Sequence, residues 1–166
     1  MTDSSLFWRR ADATDADALS RLHRRAYAAL AERIGREPEP MAADWSQVLA
    51  TASVWCIESD RCLMAALVLR AEADAMLIWS VAVDPCLQRQ GIGRQLLDFA
   101  EEEALQRGVG EIRLYTHEKF TENIRLYKSI GYLVSWVETT ELRTLVHMRK
   151  HIGGRPATDS PDPVPI

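Results

Sequence analysis

A chain of 166 residues with 47% hydrophobic and 27% charged side chains holds one soluble domain with a sizeable core. A formal net charge of −4 argues against non-specific nucleic-acid binding. No apolar run approaches the ~20 residues of a membrane span, and the start, MTDSSLFWRR, has no apolar signal segment, so a cytoplasmic protein is expected.

Residues 6–11, LFWRRA, read as an opening strand. Asp12 to Asp15 supply helix-start residues, with Thr14 as the N-cap, and Ala18, Leu19, Leu22, Ala26, Ala29 and Leu30 recur at helical spacing. Gly35 and the segment REPEP interrupt that helix, because Pro38 and Pro40 cannot continue it. A second helix is expected over residues 42–50. SVWCIES and CLMAALVLRAE are β-prone runs joined at Ser59-Asp60-Arg61 as a hairpin, and residues 75–83 form a third strand in series. The near-continuous apolarity of that strand predicts burial on both faces.

A helix then runs to about Arg107 with Ile92, Leu96, Leu97, Ala100, Ala104 and Leu105 inward, Glu101 to Glu103 solvated and Gly108 as the stop. EIRLYTH is the next strand, residues 121–130 a helix ended by Gly131, and YLVSWVETTE and RTLVHMRK a closing antiparallel pair. The Pro- and Gly-rich residues 151–166 read as a flexible tail. The order β-α-α-β-β-β-α-β-α-β-β describes an α/β layered domain with a mixed sheet.

Cys56, Cys62 and Cys86 form no CxxC pair and read as free, mostly buried thiols in a reducing compartment. His23, His117, His147 and His151 lack metal-ligand spacing, so no metal is expected.

The informative stretch is VAVDPCLQRQGIGRQLLDFAE, residues 81–101. Two glycines one residue apart at the mouth of a helix let a backbone approach an anion closely, and the helix N-terminus supplies free N–H groups. A dinucleotide fingerprint, GxGxxG, fits poorly: Leu96 stands at the third glycine, and Gly91 lies well beyond the strand. The alternative ligand is another pyrophosphate, ringed by the N–H groups of residues 89–94.

Gln88-x-x-Gly91-x-Gly93 after VAVDP resembles the acetyl-CoA signature of the GNAT superfamily of N-acetyltransferases. The later NIRLYKSIGY, residues 123–132, resembles that family's second signature. The resemblance covers residues 5–150 and leaves the tail outside. It implies a GNAT-like mixed, mostly antiparallel central sheet with splayed fourth and fifth strands and helices on both faces. The pantetheine arm of acetyl-CoA, the co-substrate, would lie in the gap. Main-chain groups of Val81, Ala82 and Val83 would pair with its amides as an added strand would. Gln88, Arg89, Gln90, Gly91, Ile92, Gly93 and Arg94 would hold the pyrophosphate, and Asn123 would anchor the cofactor or the helix start.

Tyr127 aligns with the tyrosine credited in that family with protonating the CoA sulfur, and a phenol with a pKa of about 10 can donate at neutral pH. Many members carry an acid on the fourth strand, where this chain has Trp79 and Ser80. The base is therefore expected among His117, Glu118 and Glu122, acting directly or through water. Glu37, Glu39 and Asp44, with Tyr27 and Trp45, are candidates for the acceptor side. The expected partners are acetyl-CoA and a primary amine of a small molecule or peptide, with no nucleic acid and no membrane; a homodimer is a further candidate. The competing reading is a non-catalytic acyl-CoA-binding module that senses acetyl-CoA.

Overall fold

A computed structural model describes residues 6–153. Strand β1 (Phe7–Arg10) leads into α1 (Ala16–Ile34), then α2 (Glu39–Ala42) and α3 (Trp45–Thr51). A meander follows: β2 (Ser53–Ser59), β3 (Cys62–Ala71) and β4 (Met76–Val83). Helix α4 (Ile92–Gln106), β5 (Glu111–His117), α5 (Thr121–Ser129), β6 (Leu133–Thr139) and β7 (Thr144–His151) complete the fold. The seven strands form one sheet in the order β1-β2-β3-β4-β5-β7-β6, antiparallel throughout except at β4–β5.

Strand alternation divides the core in two. Ala65, Leu67 and Leu69 of β3 pack with Ile92, Leu96, Leu97, Ala100 and Ala104 of α4 on one face. Ala66 and Val68, one residue out of phase, pack with Leu19 and Leu22 of α1 and with Trp45 and Val48 of α3 on the other. Each fully buried leucine contributes roughly 1.5–3 kcal/mol. No helix among the described residues is long and apolar enough to cross a membrane.

Several expectations change in detail. Thr14 is not the cap: Asp12 accepts the Thr14 N–H, and Asp15 accepts the Asp12 N–H in return, so two acids close a capping box. Arg9 holds Asp15 through two bonds of 2.8 Å, fixing the entry to α1. Pro40 sits in the first turn of α2, where its missing N–H has no helical partner to lose. Residues 39–51 thus form two helices rather than one. Leu105 is 47% exposed at the end of α4. Glu101 is ion-paired with Lys150 of β7 at 2.8 Å rather than simply solvated. Cys56 is buried, while Cys62 and Cys86 are exposed. β7 runs through His151 and Ile152 packs into the core, so the start of the expected tail belongs to the fold. The rest of that segment, residues 154–166, lies outside the described residues.

Candidate active site

The sheet opens between β4 and β5. Their parallel pairing joins Met76, Leu77 and Ile78 to Ile112, Arg113 and Leu114, and then stops. β5 keeps its partner β7 to the end, at His117. The strands therefore splay from Trp79 onward, and a cavity of about 680 Å³ fills the gap, bordered by α1, α4 and α5.

A bulge prepares the β4 wall. Val68 faces Ser80 across β3–β4 and Leu69 faces Ile78, so Trp79 is the extra residue. Such a bulge breaks the strict alternation of a strand. Here it turns two successive side chains toward α1. Trp79 packs with Trp45, while the guanidinium of Arg70 lies 4.3 Å from its ring centre. Ser80 accepts or donates at 2.9 Å to Nε2 of His23, and lies 3.1 Å from the hydroxyl of Tyr27.

The opposite end is the glycine turn. Gly91 precedes α4 with φ of +84°, a backbone region that side chains with a Cβ rarely occupy. Gly93 lies in the first turn. A Cβ added to either meets no atom within 4 Å, so both border open space. The first N–H groups of this 15-residue helix have no partner within the helix, and an anion beside Gly91 and Gly93 could satisfy them. The cavity lining here comprises Val81, Val83, Gln88, Arg89, Gly91, Gly93 and Arg94, all expected at the cofactor. Gln88 also donates its amide to the Val83 carbonyl at 3.0 Å, bracing the turn against the strand.

Three expected contacts have side chains elsewhere. Ile92 is buried in the core with Leu96, and Ala82 faces α1. Gln90 donates to the carbonyl of Cys86 at 3.0 Å, outside the cavity lining. Only their main chain can serve a ligand in the cleft.

Asn123 and Tyr127 enter the cavity from α5, one turn apart. Tyr127 packs at 6.0 Å from the ring of Tyr132. Its hydroxyl has no hydrogen-bond partner among the described residues. Burial raises its pKa, and the nearby phenol of Tyr27 raises it further, so the proton is retained at neutral pH.

The candidate bases differ in position. His117 and Glu122 line the cavity and Glu118 does not. Glu122 is held by Arg33 of α1 at 2.7 Å, which lowers its pKa. Nδ1 of His117 accepts the Lys119 N–H at 3.2 Å, and desolvation lowers its pKa. Among the acceptor-side candidates, Tyr27, Glu37 and Glu39 line the cavity, and Glu39 accepts from Tyr115 at 3.3 Å. Asp44 instead caps α3, and Trp45 is core. Sequence reading missed the His23–Ser80 contact, whose residues are 57 positions apart.

A model of the acetyltransferase (GNAT) family matches residues 16–132. The ribosomal protein bS18-alanine N-acetyltransferase of Escherichia coli K12 is 39% identical over 59 residues, 36% of this chain and 40% of that protein. The match thus spans less than half of that relative. The solved structure of the corresponding Escherichia coli enzyme superposes with a TM-score of 0.76 at 22% identity, covering 93% of this chain and 98% of that one. PaiA N-acetyltransferase of Thermoplasma acidophilum, solved with coenzyme A, gives a TM-score of 0.74 at 18% identity over 89% and 99% of the two chains. With the splayed strands and the glycine cradle in place, the family match is decisive: the chain belongs to the GNAT acetyltransferase family.

Proposed function

We propose that the protein moves the acetyl group of acetyl-CoA to a primary amine of a small molecule or peptide by direct attack. The observation that carries this reading is Tyr127: it lines the same cavity as the glycine turn, its hydroxyl has no hydrogen-bond partner among the described residues, and burial raises its pKa. The amine nitrogen attacks the thioester carbonyl, a C–N bond forms and the C–S bond breaks. Tyr127 gives its proton to the departing sulfur, and the nitrogen releases one to water or to a nearby base. The phosphates would sit on the N–H groups before Gly91 and in the first turn of α4, with Arg89 and Arg94 adding positive charge. Beyond Ile78 the β4 backbone is unpaired with β5 and would hold the pantetheine amides, with the Val81 and Val83 carbonyls also accepting from Tyr27 and Gln88.

The relative in Escherichia coli is named for an alanine of a ribosomal protein, which makes an alanine-initiated peptide the first acceptor to test. The assay follows free thiol from acetyl-CoA with that peptide, an alkylamine and a polyamine. Thiol released with an amine and not without it supports transfer. Tight CoA binding with no release in any mixture would favour an acyl-CoA-sensing module instead.

A further inference from the structure

Beneath one wall of the cavity lies a chain of hydrogen bonds that the acid and the phosphate cradle do not use. His23 of α1 is fully buried, with Nδ1 2.8 Å from the Leu19 carbonyl and Nε2 2.9 Å from Ser80 Oγ. Ser80, also buried, lies 3.1 Å from the Tyr27 hydroxyl, which in turn is 3.2 Å from the Val81 carbonyl. The rings of Tyr27 and Trp45 pack on His23 at 5.8 and 4.1 Å.

The direction of this chain is fixed at its buried end. A carbonyl only accepts, so Nδ1 of His23 carries the proton. Burial keeps the ring neutral, with a pKa pushed down to about 4, so Nε2 presents a lone pair. Ser80 must then donate to His23, and it has no second proton. Ser80 therefore cannot donate to Tyr27, and the single proton of Tyr27 goes to Ser80 or to the Val81 carbonyl. Among the described residues nothing else donates to the Tyr27 oxygen. Its lone pairs are left for the cavity, which Tyr27 lines together with Tyr127. The two phenols thus have opposite polarity: one has a proton to give, the other only lone pairs.

We propose that Tyr27 receives an N–H of the acceptor amine and orients its lone pair toward the thioester, with His23 and Ser80 as positioning residues that keep the phenol an acceptor. This rests on the acetyl-transfer reading above. An amine with one N–H anchored loses rotational freedom before attack, and that alignment lowers the barrier. A side chain that donated at this position would instead compete for the nitrogen lone pair.

Steady-state thiol release is measured with acetyl-CoA and the alanine-initiated peptide, the alkylamine and the polyamine. The proteins compared are wild type, Tyr27→Phe, His23→Leu and His23→Leu/Ser80→Ala, with CoA affinity followed by calorimetry. Tyr27→Phe keeps the ring and is expected to raise KM for the amine about tenfold, the loss of one hydrogen bond, with CoA affinity within about twofold. His23→Leu frees the Ser80 proton to occupy the Tyr27 oxygen and raises the amine KM similarly. Removing that proton in the double variant recovers KM at least about threefold, which a packing role for His23 would not produce. Should the leucine variants fail to fold, Tyr27→Phe decides alone. Wild-type turnover with an unchanged amine KM in Tyr27→Phe overturns the role of Tyr27. A double variant no better than His23→Leu overturns the directional role of His23. Wild type inactive toward every amine overturns acetyl transfer and this inference together.

Discussion

Arg33 Nη1 donates to Glu122 Oε2 at 2.7 Å, tying the end of α1 to the start of α5 beside the cavity. The two side chains are 41% and 63% exposed, so solvent screens the pair and it adds little stability. Its effect is electrostatic: the guanidinium holds the Glu122 carboxyl below the usual range and makes it a poor proton acceptor. His117 is constrained differently, because its Nδ1 lone pair already accepts from Lys119 and desolvation disfavours its charged form.

The proton of the amine is accordingly expected to leave for water, and the pH–rate profile to follow the acceptor. Peptide α-amines ionise near about 8 and alkylamines near about 10. The ascending limb of kcat/KM should therefore shift by about two pH units between the two acceptors in wild type, His117→Ala, Glu118→Gln and Glu122→Gln. A limb near 6 that ignores the acceptor and disappears in one variant would instead identify that residue as the base.

Tyr127→Phe should lower kcat by ~10²-fold, the low end for loss of a general acid, with CoA affinity near normal. Among the described residues the phenol makes no hydrogen bond that the substitution would break, so thermal stability should be little changed. Unaffected turnover would make Tyr127 a packing residue beside Tyr132.

Gly93→Val tests the cradle without disturbing the fold. The position has ordinary helical geometry and open space around its Cβ, so the variant should melt near wild type. If the pyrophosphate binds as proposed, the added methyl groups stand in its way, and CoA affinity should fall at least about tenfold by calorimetry. Undiminished affinity in the folded variant would remove the pyrophosphate from this site.

His23 predicts a pH dependence of stability. Its folded pKa of about 4 lies below the unfolded value of 6.5, so the unfolded chain binds more protons between these limits. Stability attributable to neutral His23 is complete above about pH 6.5 and falls as pH drops toward 4, by up to about 3 kcal/mol. Urea unfolding of wild type and His23→Gln at pH 7.5 and 4.5 measures this. A similar loss in both proteins would remove His23 as its source; Asp15 and Asp84, whose pKa values are depressed, lose their contribution only at pH below this window.

The element order was legible because its signals are local. The glycine turn announces the start of α4, Gly131 ends α5, and the apolar run of β4 marks a central strand. What failed was decided by distant contacts or by competition among neighbours. Thr14 lost the capping role because Asp12 and Asp15 satisfy each other. Leu133, Val134 and Trp136 read as an ordinary closing strand, yet β6 is an edge strand and leaves them exposed. The side of the cleft formed by the end of β4 and the start of α4 follows one contiguous motif, so the sequence names most of the residues that line the cavity there. The wall opposite depends on a bulge at Trp79 and on a histidine 57 residues from its serine, and no periodicity reports either.

The short seam between β4 and β5 has a consequence for how the chain assembles. Strands β1 to β4 pair only among residues 7–83 up to that seam, and β5 to β7 only among residues 111–151. Each half can close on its own length of chain, whereas the seam must bring Met76 to Ile112 across the whole of α4. Parallel pairing over that separation carries the loop-closure entropy before it gains contacts, and such steps are slow. Pulse-labelled amides at Met76 to Ile78 and Ile112 to Leu114 should gain protection from their seam partners after the β2–β3 and β6–β7 hairpins have formed. The cleft is then the last boundary to be drawn during folding, made when two finished plates meet along three residues and diverge.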